Sequence, residues 1–89
     1  MPAMSEYTTV YSVLEGVSED GDTREFNEKF CVSKKHADEE AIRMARKSVG
    51  EWRRTPGGDA YLIRGLVSVV RCDRNAIGGS YNPRTIYKR

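Results

Sequence analysis

Histidine and cysteine are scarce in this chain, and long apolar runs are missing altogether. Each absence excludes something. The single histidine, His36, would have to serve as base for every available nucleophile. None of Ser33, Ser68, Ser80, Cys31 or Cys72 stands in a G-x-S-x-G setting. A metal centre needs more ligands at tighter spacing than His36 and two distant cysteines supply. The paired glycines, Gly57-Gly58 and Gly78-Gly79, do not lead into a helix as a phosphate-cradling or dinucleotide-binding loop requires, and both read as turns. No segment approaches the roughly 20 apolar residues that span a bilayer. Met1–Met4 runs straight into polar Ser5-Glu6, unlike a signal peptide. Cys31 and Cys72 fall in strand-like surroundings and are expected to be buried free thiols of a cytoplasmic protein, a disulfide requiring that their strands be neighbours. The expectation is a chain with no catalytic residue, no metal and no cofactor, that is, not an enzyme.

What is present is charge. Charged residues make up 31% of the 89, against 38% hydrophobic, for a formal net charge of +2. The balance conceals an asymmetry: residues 1–45 sum to −5 and residues 46–89 to +7. A fold that keeps these halves apart is strongly dipolar, whereas one that interleaves them pairs many of the charges. Arginine outnumbers lysine ten to five, and arginine is the better residue for phosphate forks, stacking and interface anchors.

The apolar residues are periodic enough to specify a folded single domain, residues 1–89, with a small core. Residues 7–17 (YTTVYSVLEGV) have the Tyr, Thr and Val content of a strand. Asp20-Gly21 then signals a hairpin, and residues 23–32 (TREFNEKFCV) return. Phe26, Phe30 and Val32 share one face there with Glu28, which therefore needs a bulge, an edge or a partner. The period next changes to that of a helix, expected over residues 37–54. Ala41, Ala45, Ser48, Val49 and Trp52 form its inner face, Asp38-Glu39-Glu40 its first turn, and Arg53-Arg54 its last. Alanines on that face let the helix approach a sheet, with Trp52 covering the sheet's end. Residues 61–72 (YLIRGLVSVVRC) read as a central strand with a bend or bulge at Gly65. Residues 75–83 read as a mobile loop, residues 85–88 as a short edge strand, and residues 1–6 as a disordered terminus. The fold class is α+β: a ββαβ(β) antiparallel sheet of three to four strands with one helix packed on one face and the other face partly solvated.

The carboxylates at Glu19, Asp20 and Asp22 and at Asp38, Glu39 and Glu40 fall on a hairpin tip and a helix start, which are exposed places unsuited to acid–base work. The basic residues carry the functional signal. Arg64, Arg71, Arg74, Tyr81, Arg84, Tyr87, Lys88 and Arg89 compose an Arg/Tyr-rich candidate binding surface, with Arg43, Arg46, Lys47, Arg53 and Arg54 as a secondary basic helix face. Such a surface suits a protein complex, or a nucleic acid whose bases stack on the rings while guanidinium groups hold phosphates. For the helix, the competing reading is a solvated face with local pairs such as Glu39–Arg43 and Glu40–Arg43. Pairing through an exposed edge strand would make the chain a homodimer.

The succession of a polar-tipped hairpin, the helix DEEAIRMARKSVGEW, a Pro/Gly break and DAYLIRG resembles small ββαβ proteins encoded by bacteriophages, including some anti-CRISPR proteins. The resemblance rests on element order and spacing over residues 7–67. It implies stoichiometric, non-catalytic binding to a host complex through surface charge, and it carries over no individual residue.

Overall fold

The computed structural model describes residues 7–75 and 77–89; the terminus expected to be disordered, residues 1–6, lies outside them. The β-branched and aromatic residues of Tyr7–Ser18 form strand β1. The Asp-Gly turn works as its chemistry demands. Gly21 takes φ +95°, its N–H donates to the Ser18 carbonyl at 3.0 Å, and the Asp22 N–H donates to Ser18 Oγ at 3.1 Å. The chain then returns as β2, Thr23–Ser33, in unbroken antiparallel register from Tyr7↔Ser33 to Val17↔Thr23. A short 3₁₀ turn, Lys34–His36, leads into helix α1, Ala37–Lys47, and β3 (Trp52–Arg54), β4 (Ala60–Arg74) and β5 (Ser80–Lys88) follow.

All pairings are antiparallel, and the sheet has five strands in the order β2-β1-β4-β3, with β5 also on β4. Because β1 occupies one edge of β4, β3 and β5 share the other, β3 along Ala60–Leu62 and β5 along Ser68–Arg74. The α+β class and the antiparallel sheet with one helix packed on it stand as expected.

The helix is shorter than its periodicity suggests. It stops at Lys47 and not at residue 54, because Gly50 takes φ +96° and turns the chain away. The Gly50 N–H then donates to the Ile63 carbonyl, and the Ile63 N–H to that of Glu51, both at 2.8 Å. Sheet pairing thus captures the segment that continued helical spacing would have kept. Ala41, Ala45 and Ser48 are buried as the inner face requires, whereas Val49 is 41% exposed and Trp52 54% exposed. Trp52 therefore does not cover the sheet's end, and Arg53 and Arg54 belong to a strand, not to a helix face.

Neither alternate set of residues along 61–72 is cleanly polar, and two bulges explain why. Against β1, Val67 is an extra residue between Leu66 and Ser68, and Arg64 another between Ile63 and Gly65. Each insertion shifts the alternation by one, so Ile63, Leu66 and Val69 all reach the helix side at a spacing of three. With Val10, Leu14, Val32 and the three alanines of α1 they make the core, flanked by Phe26, Phe30, Ile42, Met44, Ile86 and Tyr87.

The connection expected over residues 75–83 is confined to residues between Arg74 and Ser80. Asn75 organises it: its Oδ1 accepts from the N–H groups of Ile77 at 3.1 Å and Gly79 at 2.7 Å. The last strand consequently starts at Ser80 and not near residue 85. Cys31 is exposed, not buried, and Cys72 is buried; both are free. They pair with opposite sides of Thr9, which sets them two strand spacings apart, about 10 Å. Disulfides join Cα atoms no more than about 7 Å apart.

Candidate interaction surface

Residues of β1 with even numbers face α1, as burial of Val10, Ser12 and Leu14 shows, and Tyr11 to Val17 of odd number face away, although Thr9 on that same side is buried with its partner Cys72. Register then assigns the uncovered face row by row. Tyr11 lies between Lys29 and Val70, Val13 between Asn27 and Ser68, Glu15 between Glu25 and Gly65, and Val17 between Thr23 and Leu62. Beyond Leu62 on the same face stands Trp52, and beyond Ala60 stands Arg54. The result is an apolar row, Val17, Leu62 and Trp52, with Arg54 and the bulged Arg64 exposed beside it. At the other end of the face Tyr11 reaches over β4, its hydroxyl 3.2 Å from Ser80 Oγ and its ring 5.7 Å from the Lys29 ammonium.

The structure divides the arginine- and tyrosine-rich set expected to act together. Arg64, Arg74 and Lys88 are exposed on the uncovered face, and Arg89 extends from the end of β5 to Glu15, which accepts from it at 3.1 Å. Arg71, Arg84 and Tyr87 belong to the opposite, helix-bearing face. Arg71, only 18% exposed, donates to Asp38 in the first turn of α1 at 3.2 Å. Tyr87 lies opposite Val69, with the Arg46 guanidinium 5.8 Å from its ring centre. Tyr81 pairs with Asp73 near the β4–β5 turn and is 49% exposed.

The secondary set is divided as well. Arg43 is bound to Glu40 within the helix, which lowers the Glu40 carboxyl below its ordinary value and raises the guanidinium. Lys47 is exposed at the helix end. Arg53 is the most engaged of all. It donates to Glu28 across the helix-bearing face, to Glu51 at 2.8 Å and to Ser48 Oγ at 3.0 Å. Glu28 chiefly, then Glu51, holds that guanidinium more firmly protonated than usual. This supplies the partner that Glu28 required. The residue missed from sequence was Trp52, concealed because its spacing from Ala41 and Ala45 fits a helix; Gly50 was the signal against it.

Among the described residues there is no group of histidine, cysteine or carboxylate side chains able to hold a metal ion, and no helix is long and apolar enough to cross a membrane. Two shallow depressions flank the hairpin end. One, about 450 Å³, brings Glu19, Asp20, Asp22 and Asp59 around Arg54. The other, a groove of about 670 Å³, separates β2 from residues 53–59. Comparison with protein-family models, with curated proteins and with solved structures returned no match.

Proposed function

We propose that this chain is a small, non-enzymatic interaction protein, of the kind mobile genetic elements encode, that binds a host protein complex through the uncovered face of its sheet. The observation that carries the reading is Trp52, more than half exposed on a strand at that face, in a row with Leu62 and Val17. A tryptophan presented from a strand beside arginines is what a protein interface uses as an anchor, because it buries a large area while few rotamers are lost. Arg54 and Arg64 would select a partner surface bearing carboxylates around an apolar recess.

Nucleic acid is the less favoured partner. Its backbone needs a continuous track of free cations, whereas here Arg71 is bound to Asp38, Arg89 to Glu15, and Arg53 to Glu28 and Glu51. The test is affinity capture from a bacterial lysate with the tagged chain and its Trp52→Ala variant. A specific complex retained by the parent and reduced at least about tenfold by the variant is expected, given the usual cost of losing an interface anchor. Capture that is indifferent to Trp52, or salt-sensitive binding of a mixed oligonucleotide pool, would overturn the reading.

A further inference from the structure

Three strands of the sheet present an outer edge, and only one of them is both long and regular. β5 contains Pro83, Asn82 at φ +54° and two register shifts against β4, the features by which natural sheets blunt an edge. β3 is three residues long, two of them arginine. β2 has 11 residues, no proline, no glycine and no register shift. Its pairing is with β1 alone among the described residues, so alternate backbone N–H and C=O groups along its other side have no strand to bond.

That free side opens on the larger groove. One wall is five consecutive residues, Arg24–Glu28, and the other is Arg53–Gly57 with Asp59. Consecutive residues of both parities line a space only when the strand's edge, not one of its faces, borders it. The Arg53–Glu28 bridge joins the walls, so β2 and β3 stand apart by what two side chains can span.

We propose that the groove takes an extended peptide segment of a partner protein, which adds to the free edge of β2 as a further strand. Backbone bonds to β2 supply the affinity, and side chains at alternate positions fall toward Arg24, whose guanidinium already lies 4.9 Å from the Phe26 ring centre and 5.4 Å from that of Tyr61. This site shares Arg54 with the uncovered face but not Trp52, and it does not depend on Trp52.

The test uses the full chain, a displayed library of random dodecapeptides as probe, and synthetic copies of the selected peptides. Gly57→Trp is aimed at the groove: a Cβ there meets nothing nearer than Thr55 Oγ1 at 3.9 Å, so the backbone accepts a side chain, and circular dichroism checks that the variant folds. Selected peptides should lose at least about tenfold in affinity for Gly57→Trp and be unaffected by Trp52→Ala. N-methylation at alternate peptide positions should abolish binding in one phase and spare it in the other, since only one set of N–H groups faces β2. Amide exchange within residues 24–28 should slow on binding. Failure to select any peptide, equal affinity for the Gly57→Trp variant, or N-methylation without phase would overturn the proposal. So would an intact chain that pairs β2 with a second copy of itself.

Discussion

At the scale of single residues, position decides what a side chain is worth. Trp52 resembles a core residue by type, yet its exposure predicts that Trp52→Ala costs about 1 kcal/mol or less in chemical denaturation. A buried tryptophan would cost about 3–5 kcal/mol. Glu28 is the converse: a charge on the inward face of a strand, tolerable because Arg53 meets it. Both side chains of that pair retain roughly a third of their exposure or less. A double-mutant cycle with Glu28→Gln and Arg53→Met should return a coupling of about 1 kcal/mol, above the usual few tenths of an exposed pair. The cysteines divide in the same way. Cys31 should react at once with a thiol reagent in the native state and Cys72 only on unfolding, and mild oxidation should close no bridge within the chain.

At the scale of elements, two glycines hold structure that their neighbours would otherwise redirect. A Cβ on Gly16 would lie 2.4 Å from Phe26 Cε2, within the edge-to-face pair of Phe26 and Tyr61, whose ring centres are 4.7 Å apart. Gly16→Ala should destabilise the chain by about 1–3 kcal/mol through overpacking, with part of the loss recovered by Phe26→Leu. Gly50→Ala should cost about 1–2 kcal/mol, the strain of a side chain at φ +96°, visible as a lowered denaturation midpoint. The same glycine explains what was legible in the sequence. The hairpin, the helix start, the close-packing alanines and the central strand follow from local chemistry and periodicity. Helical spacing continues through Val49 and Trp52, however, and only the backbone bonds of Gly50, Glu51 and Ile63 decide that residues 52–54 pair as a strand. Those bonds reach forward to Ile63, beyond the helical segment, and periodicity within that segment does not report them. β5 was half legible for a related reason: Asn75 builds a tight turn from its own side chain, so strand starts where composition suggested loop.

At the scale of the whole molecule, the opposed charges of the two halves are interleaved. Arg53–Glu28, Arg71–Asp38 and Arg89–Glu15 each join the basic half to the acidic one. This is why the candidate basic surface came apart. Sequence showed which arginines exist but not which face of a bulged strand each would occupy. β4 lies between β1 on one side and β3 and β5 on the other, so the acidic half keeps only a two-stranded hairpin under α1 and the basic half has no helix to cover its strands. Peptides spanning residues 1–56 and 57–89 should each show little ordered structure by circular dichroism, and should gain it when mixed.

The two bulges in β4 have a further consequence, for chain length. Because Arg64 and Val67 are supernumerary, deleting either leaves every other side chain of β4 on the face it now occupies; the strand merely becomes more regular. A deletion that is ruinous in an ordinary strand is therefore register-neutral at these two positions. What it removes is twist, since bulges coil a sheet more tightly. Twist in the sheet bears on how near β2, which lies beyond β1, comes to β3, which pairs with β4 itself, and so on the reach of Arg53 to Glu28. Two residues that are supernumerary to the register thus act as a spacer for the sheet's rim, and the opening there can be varied by deletion at Val67 without moving a core side chain to the other face.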